Sequence, residues 1–295
     1  MTAHDPIELD DETLRRWALP LPDTGGDKEE RGRVLIVGGS PEIAGAVVLA
    51  GISALRAGAG KLAIATAASV AASVALAVPE ARVLGLPETD AGGLSARGLG
   101  ALDKLAERAD AVLVGPGMQD EDATVELVEA LLPRLAKASV MLDAAAMDVV
   151  RRDSTRFDAP VLMTPHAGEM AHLTGLDKAR VQDDALAAAR EAAARWNAVV
   201  ALKGATTFIA RPDGRAWRNR RGSIGLGTSG SGDTLAGIVV GLLARGAPLE
   251  QAGAWGVALH ARAGERLAER SGALGFLARE LPAEVPSLMR TLGGL

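Results

Sequence analysis

The residues best suited to chemistry lie in Gly225-Leu-Gly-Thr-Ser-Gly-Ser-Gly-Asp233, which runs straight into the apolar stretch Thr234-Leu-Ala-Gly-Ile-Val-Val-Gly-Leu-Leu-Ala244. Gly-rich backbone ahead of a helix start presents several N–H groups to one point, and the helix dipole adds partial positive charge there. Gly230, Ser231 and Gly232 therefore read as an anion hole, suited to a phosphate whose charge grows during transfer. Asp233 at the helix start is placed to take a proton from a substrate hydroxyl. The competing reading is that Asp233 only caps the helix, a role Asp fills well. Four glycines within residues 225–232 favour the anion hole. The loop is neither a Walker loop nor a dinucleotide fingerprint, because Gly-Lys-Ser/Thr is missing and no parallel strand precedes it.

Other candidates follow short apolar runs. Lys203-Gly-Ala-Thr-Thr207 can set a cation and the Gly204 amide on a phosphate. The alternative is a lysine snorkelling at a sheet edge, which Gly204 and the two threonines disfavour. Gly115-Pro-Gly117 permits close backbone approach, as any tight turn would. His166, between Pro165 and Ala167-Gly168, can bond phosphate or substrate, or start a helix with Glu169 in its first turn. His172 and His260 fall on helical stretches as packing or surface residues, and the four tryptophans show no stacking stripe. No metal-ligating residue is assigned from the residues alone.

Elements must bring these positions together. The runs Val34–Val37, Lys61–Ala65, Ala111–Val114, Ser139–Leu142, Pro160–Met163 and Ala198–Leu202 are almost wholly apolar, as strands buried on both faces of a parallel sheet are. Helical stretches alternate with them at Ile43–Ala57, Ser69–Ala77, Ala96–Arg108, Asp122–Ala136, Ala145–Arg152 and Arg180–Trp196. That alternation predicts a layered α/β fold with ligands at the carboxyl ends of the strands. Thr207–Ala210 and Ala216–Asn219 flank Asp213-Gly214, a hairpin signal. Helices are expected at 232–244, 248–270 and 278–292. With no repeat and no linker, residues 33–295 read as one domain, and the acidic residues 1–32 as a mobile or surface-packed extension.

Composition narrows the class. Of 295 residues 48% are hydrophobic but only 2% aromatic, so the core must be built from Ala, Val and Leu. The net charge of −5 carries no basic block, which speaks against a nucleic-acid partner and requires phosphate to be held locally. The absence of cysteine excludes disulfides, thiolate metal sites and thiol nucleophiles, and fits a reducing compartment. The N-terminus lacks a signal-peptide pattern. The charge-free Leu62–Val78 is mostly Ala, Ser and Thr, better explained by a strand and a small-residue helix than by a membrane span. The expected location is cytoplasmic.

The segment Gly-Thr-Ser-Gly-Ser-Gly-Asp-Thr-Leu-Ala-Gly, residues 227–237, resembles the anion-hole signature of the ribokinase-like superfamily. Gly38-Gly39-Ser40, Gly45-Ala46, Leu49-Ala50-Gly51, Arg56–Gly60, Gly115-Pro116-Gly117, Leu142-Asp143-Ala144, Thr164–Glu169 and Leu202–Thr207 come in the order seen in one branch. That branch is the ADP/ATP-dependent NAD(P)H-hydrate dehydratase family, similar over roughly residues 30 to 290. The resemblance implies a ribokinase-like α/β/α fold with a mostly parallel central sheet and a C-terminal helical segment. It implies repair of hydrated NADH or NADPH (NADHX, NADPHX) with Mg²⁺ and with ADP, or ATP, as co-substrate; stand-alone bacterial members favour ADP.

Residue by residue, the resemblance places Lys203, Gly204, Ala205, Thr206, Thr207 and Gly232 on the nucleotide. It places Ala46, Gly117, His166 and Asp233 on the hydrated cofactor, with Asp233 catalytic. It further implies a homo-oligomer, a tetramer as in relatives, and pairing with a separate NAD(P)H-hydrate epimerase. Three positions depart from the family pattern: Ala167 replaces a common proline, Ala145 a second Asp, and Ser223 a frequent Asn. These departures bear on fine placement of substrate. The rival reading is a ribokinase-like small-molecule kinase acting on a hydroxymethylpyrimidine or hydroxyethylthiazole, which would share Asp233 and the anion hole. A non-catalytic nucleotide sensor is a second rival, disfavoured by the intact Asp233.

Overall fold

The computed structural model describes residues 5–21, 31–152 and 155–293. Ten strands are described: β1 Ile7–Glu8, β2 Arg33–Val37, β3 Lys61–Ala67, β4 Ala81–Leu86, β5 Ala111–Val114, β6 Ser139–Leu142, β7 Val161–Met163, β8 Ala198–Leu202, β9 Thr207–Ala210 and β10 Ala216–Asn219. They form one sheet in the order β1-β10-β9-β8-β7-β6-β5-β2-β3-β4. All neighbours from β4 to β8 are parallel, while β9 is antiparallel to β8 and to β10.

The helices are α1 Asp11–Arg16, α2 Gly45–Arg56, α3 Ala71–Ala77, α4 Asp103–Ala106, α5 Glu121–Leu131, α6 Ala167–Thr174, α7 Lys178–Asp183, α8 Ala185–Trp196, α9 Ser231–Ala244, α10 Leu249–Ser271 and α11 Leu281–Thr291. They cover both faces of the sheet. Successive side chains of a strand point to opposite faces, so Val34 and Ile36 pack with α2, α9 and α10 while Leu35 and Val37 join the layer of α5 and α8. That double burial is why the strands read as continuous apolar runs.

Small residues set how closely the layers approach. On α9, a Cβ at Gly237 would lie 2.2 Å from the Ala50 carbonyl oxygen, and one at Gly241 2.5 Å from that of Ala54. Helices α9 and α2 thus pack backbone to backbone. Glycines therefore also serve helix packing here, and the tight seam fixes α9 against α2.

Some expectations change. Strand β4 escapes periodicity because it is a half-exposed edge with Arg82 inside it. The helix expected over Ala145–Arg152 is a 3₁₀ helix at Ala144–Arg151, and the first part of the Ala96–Arg108 stretch is also 3₁₀. The extension expected over residues 1–32 is, in its described part, built into the sheet. Ile7 and Glu8 pair with Trp217 and Arg218, Trp17 stacks on Trp217 at 5.1 Å, and Trp255 Nε1 donates to the Trp17 carbonyl at 2.8 Å. Residues 1–4 and 22–30 lie outside the described residues. Among the described residues no helix is long and apolar enough to cross a membrane.

Candidate active site

Three positions at the carboxyl ends of neighbouring strands converge beside the start of α9. Asp143 follows β6, His166 follows β7 and Lys203 follows β8, while Gly230 to Asp233 open α9. Asp143, His166, Lys203, Gly204, Ala205, Thr207, Ser231, Gly232 and Asp233 all line one cleft of about 820 Å³. Its volume lies in the range typical of small-molecule sites.

The turn into α9 owes its shape to backbone geometry. Gly230 takes φ +83° as the residue before the helix, a left-handed conformation that favours glycine. A Cβ there would also lie 2.5 Å from Leu49 Cδ1. By helix geometry the Gly232 and Asp233 amides have no intrahelical carbonyl to bond. Gly232 adds no side chain between them and Lys203, whose Nζ would stand 3.8 Å from a Cβ at that position. Among the described contacts, Asp233 has no role as a side-chain cap of α9, which starts two residues earlier with Gly230 as its cap.

The charges are arranged around one cation. Lys203 Nζ lies 3.9 Å from Asp143 Oδ1 and 3.7 Å from Glu169 Oε2. Asp143 is buried and accepts a 2.6 Å hydrogen bond from Thr164 Oγ1. Burial raises its carboxyl above the usual range, although Lys203 and the Thr164 hydrogen bond offset part of that. Burial, with the Asp143 charge adding to it, pushes the Asp233 carboxyl up to about 6 against the pull of Lys203. A carboxylate tuned to about 6 is matched to proton abstraction near neutral pH.

His166 takes the helix-start role. Its Nδ1 accepts from the Gly168 and Glu169 amides at 3.0 Å each, and Glu169 accepts from the His166 amide at 2.7 Å. This reciprocal box leaves Nε2 as the proton-bearing nitrogen, on a ring that lines the cleft. Capping and ligand contact are thus compatible.

Four predicted residues, Ala46, Gly117, Thr206 and Gly230, do not line this cleft. Gly117 leaves room for Ala46, since a Cβ added at Gly117 would lie 2.8 Å from Ala46 Cβ. Thr206 faces a neighbouring cleft of about 880 Å³, which shares His166, Lys203, Gly204, Ala205 and Arg220 with the first. Conversely, Asp143, Glu169 and His260 line the cleft without having been singled out as site residues. Asp143 was findable from its place after an apolar run. His260, 29 residues beyond Ser231, carried no local signal.

A family profile described as NAD(P)H-hydrate dehydratase matches residues 34–287. An ADP-dependent (S)-NAD(P)H-hydrate dehydratase of Xanthomonas campestris pv. campestris is 52% identical, over 93% of this chain and 94% of that one. A bifunctional NAD(P)H-hydrate repair enzyme of Moorella thermoacetica is 42% identical over 94% of this chain, which spans only 53% of that longer protein. The crystal structure of an ADP/ATP-dependent NAD(P)H-hydrate dehydratase from Bacillus subtilis, co-crystallised with ATP and Mg²⁺, superposes with a TM-score of 0.83. It is 30% identical and covers 98% of this chain and 100% of its own.

Proposed function

The chain belongs to the NAD(P)H-hydrate dehydratase family, and we propose that it returns NADHX and NADPHX to NADH and NADPH, with ADP as phosphoryl donor. The observation that carries this reading is Asp233, raised to about 6, beside the left-handed Gly230 turn in the cleft that Lys203 also lines. The fold has the ribokinase-like arrangement of a mostly parallel sheet with helices on both sides.

Asp233 takes the proton of the C6 hydroxyl of the hydrated ring, and that oxygen attacks the terminal phosphoryl group of ADP. The bond from that phosphorus to the bridging oxygen breaks, and AMP leaves. Backbone amides at Gly232 and Asp233 receive the charge that spreads over the phosphoryl oxygens, where preorganised donors act most strongly. Loss of phosphate from C6, with a proton from C5, restores the dihydropyridine. With ATP the nucleotide product is ADP. Lys203, Gly204, Ala205, Thr206 and Thr207 are assigned to the nucleotide phosphates, and Ala46, Gly117 and His166 to the hydrated cofactor.

The donor set suits Mg²⁺. Asp143 and Glu169 offer hard carboxylate oxygens, each within 4 Å of Lys203 Nζ. Glu169 and Asp143 would hold the ion, which when bound neutralises phosphate charge. Pairing with an epimerase on another chain, and assembly as a homo-oligomer in the cytoplasm, complete the proposal. The bifunctional relative, about twice as long, supports a coupling of two repair steps.

Purified protein incubated with NADHX, Mg²⁺ and ADP or ATP should regain absorbance of the reduced nicotinamide. Folded protein that recovers none with either nucleotide sinks the assignment. A kinase acting on a pyrimidine or thiazole alcohol would instead release a stable phosphate ester, and the 52% identity weighs against it.

A further inference from the structure

Beneath the anion hole lies a buried contact that the proposed chemistry does not use. His260, on α10, places Nε2 2.9 Å from Ser231 Oγ, the first residue of α9. Both side chains are buried and both line the cleft.

The direction of this hydrogen bond decides what Ser231 can do. If His260 Nε2 were the acceptor, the serine would spend its only proton on the ring and present lone pairs to an incoming phosphate. If Nε2–H is the donor, the serine hydroxyl proton is left to point into the cleft. The needs of an anion hole favour the second case, because a serine that keeps its proton for the ligand adds a donor where phosphate charge grows. Burial pushes the imidazole down to about 4, so the ring is neutral at working pH and has one N–H to place.

Resting on the phosphoryl-transfer reading above, we infer that His260 is a positioning residue whose Nε2–H, donated to Ser231 Oγ, turns the serine hydroxyl into an additional donor to the transferring phosphoryl group. The anion hole then comprises backbone amides and one oriented side-chain hydroxyl. Removing a single such donor costs about 10²–10³-fold in kcat in other anion holes. Here the donor is an exchangeable hydroxyl beside intact amides, so about 10–100-fold is expected.

Three measurements test it together. Ser231→Ala and His260→Leu should each lower kcat by about 10–100-fold with the nucleotide KM nearly unchanged, and the double variant should be no slower than either single one. His260→Gln, which keeps an amide donor near the Nε2 position, should recover most of the loss. Additive losses, or a His260→Gln variant as slow as His260→Leu, would overturn the relay in favour of plain packing. The third readout is the ring nitrogen-15 spectrum of the unliganded wild-type protein, which needs neither turnover nor a folded variant. It should show the proton of His260 on Nε2; a proton on Nδ1 overturns the inference. Wild-type turnover with NADPHX reports separately on the function itself.

Discussion

Lys203 Nζ stands 3.9 Å from Asp143 Oδ1, across the carboxyl ends of β8 and β6 with β7 between them. The contact joins a loop assigned to the nucleotide to a buried carboxylate that acts on Asp233. Removing the lysine therefore changes both binding and proton affinity. Lys203→Met should raise the nucleotide KM by about 10-fold or more, as loss of a charge-assisted phosphate contact does. Because Lys203 holds the Asp233 carboxyl down, the acid limb of kcat/KM should also move to higher pH. A variant with an unmoved acid limb would remove Lys203 from the electrostatics of the site.

Asp233 makes a pH prediction of its own. In its proposed role of proton acceptor it must be ionised, so kcat/KM should rise through about pH 6 and level off above it. Asp233→Asn should abolish turnover while leaving calorimetric binding of ADP largely intact.

The same residue predicts stability. Its carboxyl is near 3.8 unfolded and about 6 folded, so its contribution is fully present below pH 3.8 and is lost as pH rises through 6. Asp233→Asn should therefore be more stable than wild type at pH 8, by at most about 3 kcal/mol. The gain should shrink on acidification to pH 4, as read by denaturant unfolding.

Gly230 offers a test of backbone geometry. Gly230→Ala imposes a side chain at φ +83° and within 2.5 Å of Leu49 Cδ1, so the amides should turn away from the phosphate. A loss of about 100-fold in kcat is expected. Gly232→Ala meets nothing closer than Lys203 Nζ at 3.8 Å and should fold normally, its defect confined to nucleotide turnover.

Glu169→Gln keeps the reciprocal cap with His166, since glutamine serves in that box, but removes the charge. The Mg²⁺ concentration for half-maximal activity should rise several-fold with little change in melting temperature. Chelation should stop the wild-type enzyme, and added Mg²⁺ should restore it.

Local order explains how much of this was legible. Ala111–Val114, Ser139–Leu142 and Ala198–Leu202 match β5, β6 and β8 because a strand buried on both faces must be apolar at every position. Gly230 to Asp233 was legible because a turn into a helix demands glycine within a few residues. Each of these constraints acts between chain neighbours, so composition and spacing carry it.

Contacts between distant segments are different. An apolar run does not state which run lies beside it, so the order that puts β7 between β6 and β8, and hence Lys203 near Asp143, emerges only when the sheet closes. The polar N-terminus hid an edge strand whose partner, β10, lies about 210 residues away, because a two-residue strand has too few side chains for a periodic signal. His260 reaches Ser231 only because α10 packs against α9. The sequence by itself determined the buried strands and the Gly-rich turn into α9. Tertiary packing decided which charges surround Asp233, and so set its proton affinity, because burial and Coulomb energy depend on distances that no local pattern encodes.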